Sequence, residues 1–121
     1  MMNDKIFQKI LDEISPYFYA DWEKVVFYCE YGATTYSMSF YLKVGKDYIK
    51  CYDMDGITDD QLYESFKKID RFVSKEQKEE QWTNMTMIVC SDGKMKTEFD
   101  YTDLSTSAYQ YKKDWKKKYL K

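Results

Sequence analysis

The chain has 121 residues, with 19 Lys and Arg against 21 Asp and Glu, and no histidine. That length sets a single domain able to bury roughly two thirds of its unfolded surface, and 44% hydrophobic and 19% aromatic residues supply a core for it. Without histidine there is no Ser–His or Cys–His nucleophile, no imidazole acid–base catalysis and no His-ligated zinc.

Asn3 or Asp4 is placed to cap a first helix whose apolar side chains recur as Ile6, Phe7, Ile10, Leu11 and Ile14, and Pro16 breaks the pattern. From residue 24 to 31 the period becomes two, with Val25, Phe27, Cys29 and Tyr31 on one face. After Gly32-Ala33, the strand of cleanest alternation sets Tyr36, Met38, Phe40, Leu42 and Val44 against Thr35, Ser37, Ser39, Tyr41 and Lys43. Gly45-Lys46-Asp47 turns into a short strand over residues 48–52, followed by the acidic loop Asp53-Met54-Asp55-Gly56. Thr58 with Gln61 is a capping box opening a second helix striped by Leu62, Phe66, Ile69 and Val73. Met85, Met87 and Val89 then predict a strand, and Asp92-Gly93 is a two-residue hairpin signal. The return strand carries Met95, Thr97, Phe99 and Tyr101 on one side and Lys96, Glu98 and Asp100 on the other. Ser105 or Ser107 caps a last helix with Ala108, Tyr111, Trp115 and Tyr119 on one face.

The element order is helix, three strands, helix, two strands, helix. Tight turns between successive strands make them antiparallel. The expectation is an α+β single domain over residues 1–121, an antiparallel sheet of about five strands with three helices packed on one of its faces. Tyr28 and Tyr41 fall on the polar-side parity of adjoining strands. They are either exposed contact residues or, if a helix covers the second face too, core.

Charge is unevenly distributed. Residues 1–111 carry 13 basic and 20 acidic side chains, whereas residues 112–121 carry six lysines against Asp114. The acidic body repels nucleic acid, and the lysine-rich end reads first as a solvated helix terminus that complements the helix dipole. Cys29, Cys51 and Cys90 are odd in number and lie in apolar runs, as reduced cysteines of a cytoplasmic protein would. The longest uncharged apolar run, residues 25–29, is far too short for a membrane span, and the N-terminus has acids where a signal peptide would be apolar. The carboxylate pairs Asp53/Asp55, Asp59/Asp60 and Asp100/Asp103 occupy loops and helix starts, where Asp is ordinary turn and cap chemistry. Residues 53–56 lack the ligand spacing of a calcium loop, so no cofactor, metal or catalytic residue is expected.

Three segments together resemble one family. They are Asp21-Trp22-Glu23-Lys24-Val25, then Glu80-Gln81-Trp82-Thr83-Asn84 with the hairpin through Asp92-Gly93-Lys94 to Phe99-Asp100-Tyr101, and finally Trp115-Lys116-Lys117-Lys118-Tyr119-Leu120. In this order and spacing the chain is similar to the YezG-type immunity proteins. The stretch Asp53-Met54-Asp55-Gly56-Ile57 departs from that pattern, standing where a proline-containing segment is often found. The resemblance implies a small non-enzymatic cytoplasmic antitoxin, encoded beside a secreted LXG-type or related nuclease toxin of a Gram-positive bacterium. Its implied partner is the cognate toxin's nuclease domain, with no direct contact to nucleic acid or membrane.

A nuclease surface attracts phosphates and is cationic, so an acidic partner is steered toward it. On charge and position, the first candidate contacts are Asp53, Asp55, Asp59, Asp60 and Glu64, with Tyr52 and Tyr63 as aromatic anchors. A second candidate patch is Glu98, Asp100 and Asp103. Trp22 and Trp82 read as helix-to-sheet packing anchors. The alternative class is a non-enzymatic adaptor or homodimeric module pairing through an exposed aromatic sheet face, and the choice between free monomer and homodimer stays open. A carboxylate-based hydrolase is the third reading.

Overall fold

A computed structural model describes residues 4–121. Helix α1, Asp4–Ile14, turns Ile10 and Ile14 fully into the core, with Ile6, Phe7 and Leu11 packed beside them. A cap at Asn3 lies outside the described residues; Asp4 lies in the first turn of the described helix, where a carboxylate suits the positive end of the helix dipole. Pro16 sits in a 3-10 turn, Ser15–Tyr17, that ends the helix.

Among the described residues there are five strands: β1 (Lys24–Tyr31), β2 (Tyr36–Val44), β3 (Asp47–Lys50), β4 (Asn84–Cys90) and β5 (Met95–Asp100). They form one antiparallel sheet in the order β3-β2-β1-β4-β5. β1 is central because its five-residue apolar run, from Val25 through Cys29, can be buried on both faces. Register follows the alternation: Phe27 lies opposite Phe40 on β2 and Met87 on β4, and Cys29 opposite Met38 and Met85. Helix α2, Asp59–Glu80, lays Leu62, Phe66, Ile69 and Val73 on this face alongside α1.

Helix α3, Ala108–Tyr119, corrects the expectation that all helices share one sheet face. It crosses the opposite face, where Trp115 packs on Val26, Tyr28 and Tyr41 in a separate buried cluster. Tyr28 and Tyr41 are therefore core, and the aromatic sheet face that the alternative homodimeric reading invoked lies under α3. The physical reason is the double nature of tyrosine and tryptophan. The Trp115 ring meets Tyr28 edge-on at 5.0 Å and Tyr119 at 5.3 Å, while its Nε1 donates to Thr86 Oγ1 at 2.9 Å. A strand face reading as polar-out is equally a face that a tyrosine-rich helix can cover.

Turn and cap chemistry differs from expectation in three places. The β4–β5 connection is a three-residue loop, Ser91-Asp92-Gly93, because Cys90 N–H pairs with the Lys94 carbonyl and Gly93 N–H closes a turn onto Cys90 at 2.9 Å. Gly93 takes the left-handed position such a loop requires, with φ 95°. The third strand stops at Lys50, and Cys51–Asp53 forms a 3-10 turn leading toward α2. Ser107 occupies the N-cap of α3 without a side-chain cap bond.

Candidate functional site

The start of α2 is built as its sequence dictates. The Thr58 hydroxyl accepts from Gln61 N–H at 3.1 Å and Gln61 Oε1 accepts from Thr58 N–H at 2.9 Å, a reciprocal capping box. Asp59 and Asp60 follow in the first turn and are exposed. The helix dipole favours them there, so their carboxylates face outward without an internal partner being needed. Just upstream, Tyr52 leaves the 3-10 turn 46% exposed, its ring edge-on to Phe66 and its hydroxyl 3.5 Å from the Met38 carbonyl. Tyr63, one turn into α2, is 59% exposed.

These four predicted residues converge. Tyr52, Asp59, Asp60 and Tyr63 line one cleft of about 700 Å³ with Phe66 at its base. The facing wall comes from the β1–β2 loop and the start of β2: Thr34, Thr35, Tyr36, Ser37 and Met38. Among the described residues no basic side chain lines it directly, although Lys50 lies 5.8 Å from the Tyr52 ring centroid and Lys67 5.9 Å from that of Tyr63. Glu64 lies outside this cleft, on an adjoining groove between α1 and α2 with Asp12, Glu13 and Lys68; Asp60 belongs to both hollows. Lys68 in that groove is 3.8 Å from Glu13. Asp53 and Asp55 are exposed on the preceding loop and line neither hollow; Asp55 N–H donates to the Tyr19 hydroxyl at 3.2 Å.

The second predicted patch divides. Glu98 and Asp100 face α3. Glu98 Oε2 accepts from the Tyr119 hydroxyl at 2.6 Å and Lys118 approaches it at 3.4 Å, while Lys96 sits 3.1 Å from Oε1. The Tyr119 and Lys96 contacts hold the Glu98 carboxyl below its ordinary range. Burial pushes Asp100 the other way, but bonds from Thr102 and from the Tyr111 hydroxyl, the latter at 2.6 Å, outweigh it and leave that carboxyl lowered too. Asp103 is exposed, accepts from Ser105 N–H at 2.9 Å, and lines a groove with Glu30, Tyr31 and Tyr36 on the far side of the β1–β2 loop. Tyr36 is shared between this groove and the acidic cleft.

The family-like motifs prove architectural. Gln81 adopts the left-handed conformation, φ 61°, at the end of α2, and Trp82 then plunges into the core against Tyr31 and Phe99. Thr83 N–H donates to the Asp100 carbonyl at 2.8 Å, and Asn84 and Asp100, side by side on β4 and β5, both receive the Tyr111 hydroxyl. Trp22 packs on Phe18 at 4.9 Å, and Glu23 bridges β2 and β4 through its backbone. These residues hold helices to the sheet and leave the cleft's surface to other positions.

Sequence reasoning missed the cleft's second wall, residues 34–38. A signal was present in the unequal strand lengths: β2 runs for nine residues and β3 for four, so among the described residues part of β2 has no strand partner on that side.

Among the described residues, no group of three or more His, Cys, Asp or Glu side chains could hold a metal ion, and no helix is long and apolar enough to cross a membrane. A comparison with curated proteins found no match to the chain. A comparison with family models matched the YezG-like immunity protein family over residues 3–121. With essentially the whole chain covered, the protein belongs to the YezG-like immunity protein family, whose general role is to bind a cognate toxin.

Proposed function

We propose that the protein neutralises a secreted nuclease toxin inside the producing cell by forming a stoichiometric complex that blocks the path of nucleic acid to the toxin's active site. The observation that carries this reading is the convergence of Tyr52, Asp59, Asp60 and Tyr63 on one cleft. A nuclease must attract polyphosphate, and its cationic surface is complementary to such a cleft. Half-exposed tyrosines add contact area with few rotors to immobilise. Asp53, Asp55 and Glu64 extend the negative field around the cleft, and Asp103 extends it beyond the β1–β2 loop. Glu98 and Asp100 act at a distance, by fixing α3 to the sheet, more than by direct contact. The lysine-rich α3 lies on the opposite sheet face from this surface, so its charge does not cancel the cleft's field.

The test replaces Asp53, Asp55, Asp59 and Asp60 together with Ser. Loss of two first-turn carboxylates costs the helix about 0.6–2 kcal/mol, which leaves the fold intact. We expect the variant to associate with the toxin's nuclease domain at least tenfold more slowly at low salt and to protect cells poorly. Protection equal to wild type would remove the acidic cleft from the interface.

A further inference from the structure

The cleft contains an uncommitted sheet edge. β3 pairs with β2 from Tyr41 to Val44 only, so residues 36–39 have no strand neighbour on their outer side. Backbone groups along an antiparallel strand point alternately to its two neighbours. The Met38 carbonyl faces outward, since the Tyr52 hydroxyl reaches it from that side at 3.5 Å, a long contact. Tyr36, two residues away, presents its N–H and carbonyl in the same direction, while Ser37 and Ser39 pair inward with Glu30 and Tyr28 of β1. Open edges are normally blunted by lysine, proline or a bulge. Residues 36–39, Tyr-Ser-Met-Ser, carry none of these, yet Tyr36, Ser37 and Met38 form part of the wall of the about 700 Å³ cleft.

We propose that the toxin docks here by strand addition: an extended segment of three or four of its residues pairs with the outer edge of β2 at Tyr36 and Met38 and becomes a sixth strand. This rests on the toxin-binding reading above and supplies its mode. The chemistry of the segment follows from the cleft. Alternate side chains of an added strand point toward the α2 side, where they meet the Tyr52, Tyr63 and Phe66 rings and then Asp59 and Asp60. A Lys or Arg fits that sequence of surfaces, its aliphatic stem over the rings and its charged head on the carboxylates. A second copy of this chain fits worse, because edge-to-edge pairing brings two sets of Asp59 and Asp60 together across one cleft. The Tyr52 hydroxyl leaves the Met38 carbonyl as the strand enters.

Residue-resolved amide exchange by NMR tests this on the intact protein, free and bound to the nuclease domain of the toxin encoded beside it. In the free protein the Tyr36 and Met38 amides should exchange rapidly, while Ser37 and Ser39 are protected by β1. In the complex, Tyr36 and Met38 should slow at least a hundredfold with Ser37 and Ser39 little changed. The double variant Asp59→Asn, Asp60→Asn should weaken the complex at least tenfold, an effect that shrinks as salt is raised. A complex that forms and inhibits the nuclease with Tyr36 and Met38 still exchanging freely overturns strand addition and leaves the toxin-binding reading standing. Absence of any complex overturns that reading itself. Concentration-dependent protection of the two amides in the free protein assigns the edge to a second copy and also overturns the proposal.

Discussion

Trp115 is the residue on which the second sheet face depends. It is the buried residue of α3, 3% exposed, and it meets Tyr28, Tyr41 and Tyr119 while donating to Thr86. A buried tryptophan removes about 200 Å² from water, worth about 5 kcal/mol at 25 cal/mol per Å². Partial collapse of the site lowers the measured cost, so Trp115→Ala should destabilise by about 4 kcal/mol. That is a large fraction of the about 5–15 kcal/mol that holds a domain of this kind folded. With an unfolding entropy of about 2.1 cal/mol/K per residue, it corresponds to a fall of about 16 °C in Tm. Urea unfolding followed by far-ultraviolet circular dichroism measures it, with the slope m checking that both proteins unfold in one step. Trp115→Phe, which keeps a ring and loses the bond to Thr86, should cost about 1–2 kcal/mol. If Trp115→Ala costs less than about 1 kcal/mol, α3 does not close the second face and Tyr28 and Tyr41 are not held as core.

Thr58→Ala removes one half of the capping box and should cost about 1 kcal/mol by thermal or urea unfolding, while Thr58→Asp, which can cap equally well, should be close to neutral. Stability should fall above pH 9 and steeply above pH 10. Burial raises the Cys29 and Cys51 thiols. Burial, then Glu30, raises the Tyr28 phenol, and burial together with bonds to Asp70, Asp100 and Glu98 raises Tyr31, Tyr111 and Tyr119. The unfolded chain releases these protons first, so the stabilisation is complete below the ordinary pKa values and is lost as pH climbs past them, by about 1.4 kcal/mol per pH unit for each fully buried group. Lys112 opposes this trend. Burial lowers it to about 8 against the pull of Glu30, so the folded state sheds that proton before the unfolded chain does and gains stability between pH 8 and 10.5. Urea midpoints from pH 7 to 11 should therefore decline earlier in Lys112→Met than in wild type; an unchanged profile would show that Lys112 is solvated in spite of lying 3.5 Å over the Tyr28 ring. On the functional side, the four-Asp variant is expected to bind slowly, and the edge amides to be protected only in the complex.

Local chemistry determined most of the elements. The period-two run of β1, the Thr58–Gln61 box and the four-three-four stripe of α2 each act within one strand or one helical turn, and each appears in the structure where the residues place it. The antiparallel pairing of β1 with β2, β2 with β3 and β4 with β5 followed from turn lengths, since a short loop permits nothing else, whereas the pairing of β1 with β4 was decided by the fold. The acidic character of the α2 start was legible for the same reason: Asp59 and Asp60 are first-turn residues whichever way the helix is packed. Asp53, Asp55 and Glu64, read by the same charge criterion, are exposed but lie outside the cleft, because charge along the chain does not say which way a loop or helix face points.

Tertiary packing decided what pattern left open. Alternation along β1, β2 and β5 separates two faces but does not say whether the more polar one meets water. Tyr111, Trp115 and Tyr119 settle it by offering rings to Tyr28 and Tyr41 and polar atoms to Asp100, Thr86 and Glu98 at once. That arrangement gives Glu98 and Asp100, two of the candidate contact carboxylates, hydrogen bonds from α3. The cleft likewise depends on distant segments meeting: β2 outruns β3, and the start of α2 comes to lie across from the stretch of β2 that β3 leaves unpaired. Sequence alone determined that this protein is a small α+β domain without histidine chemistry and with an acidic helix start. Only the fold decided that the helix start faces an open strand edge, because side chains far apart in the chain become neighbours when the sheet is assembled.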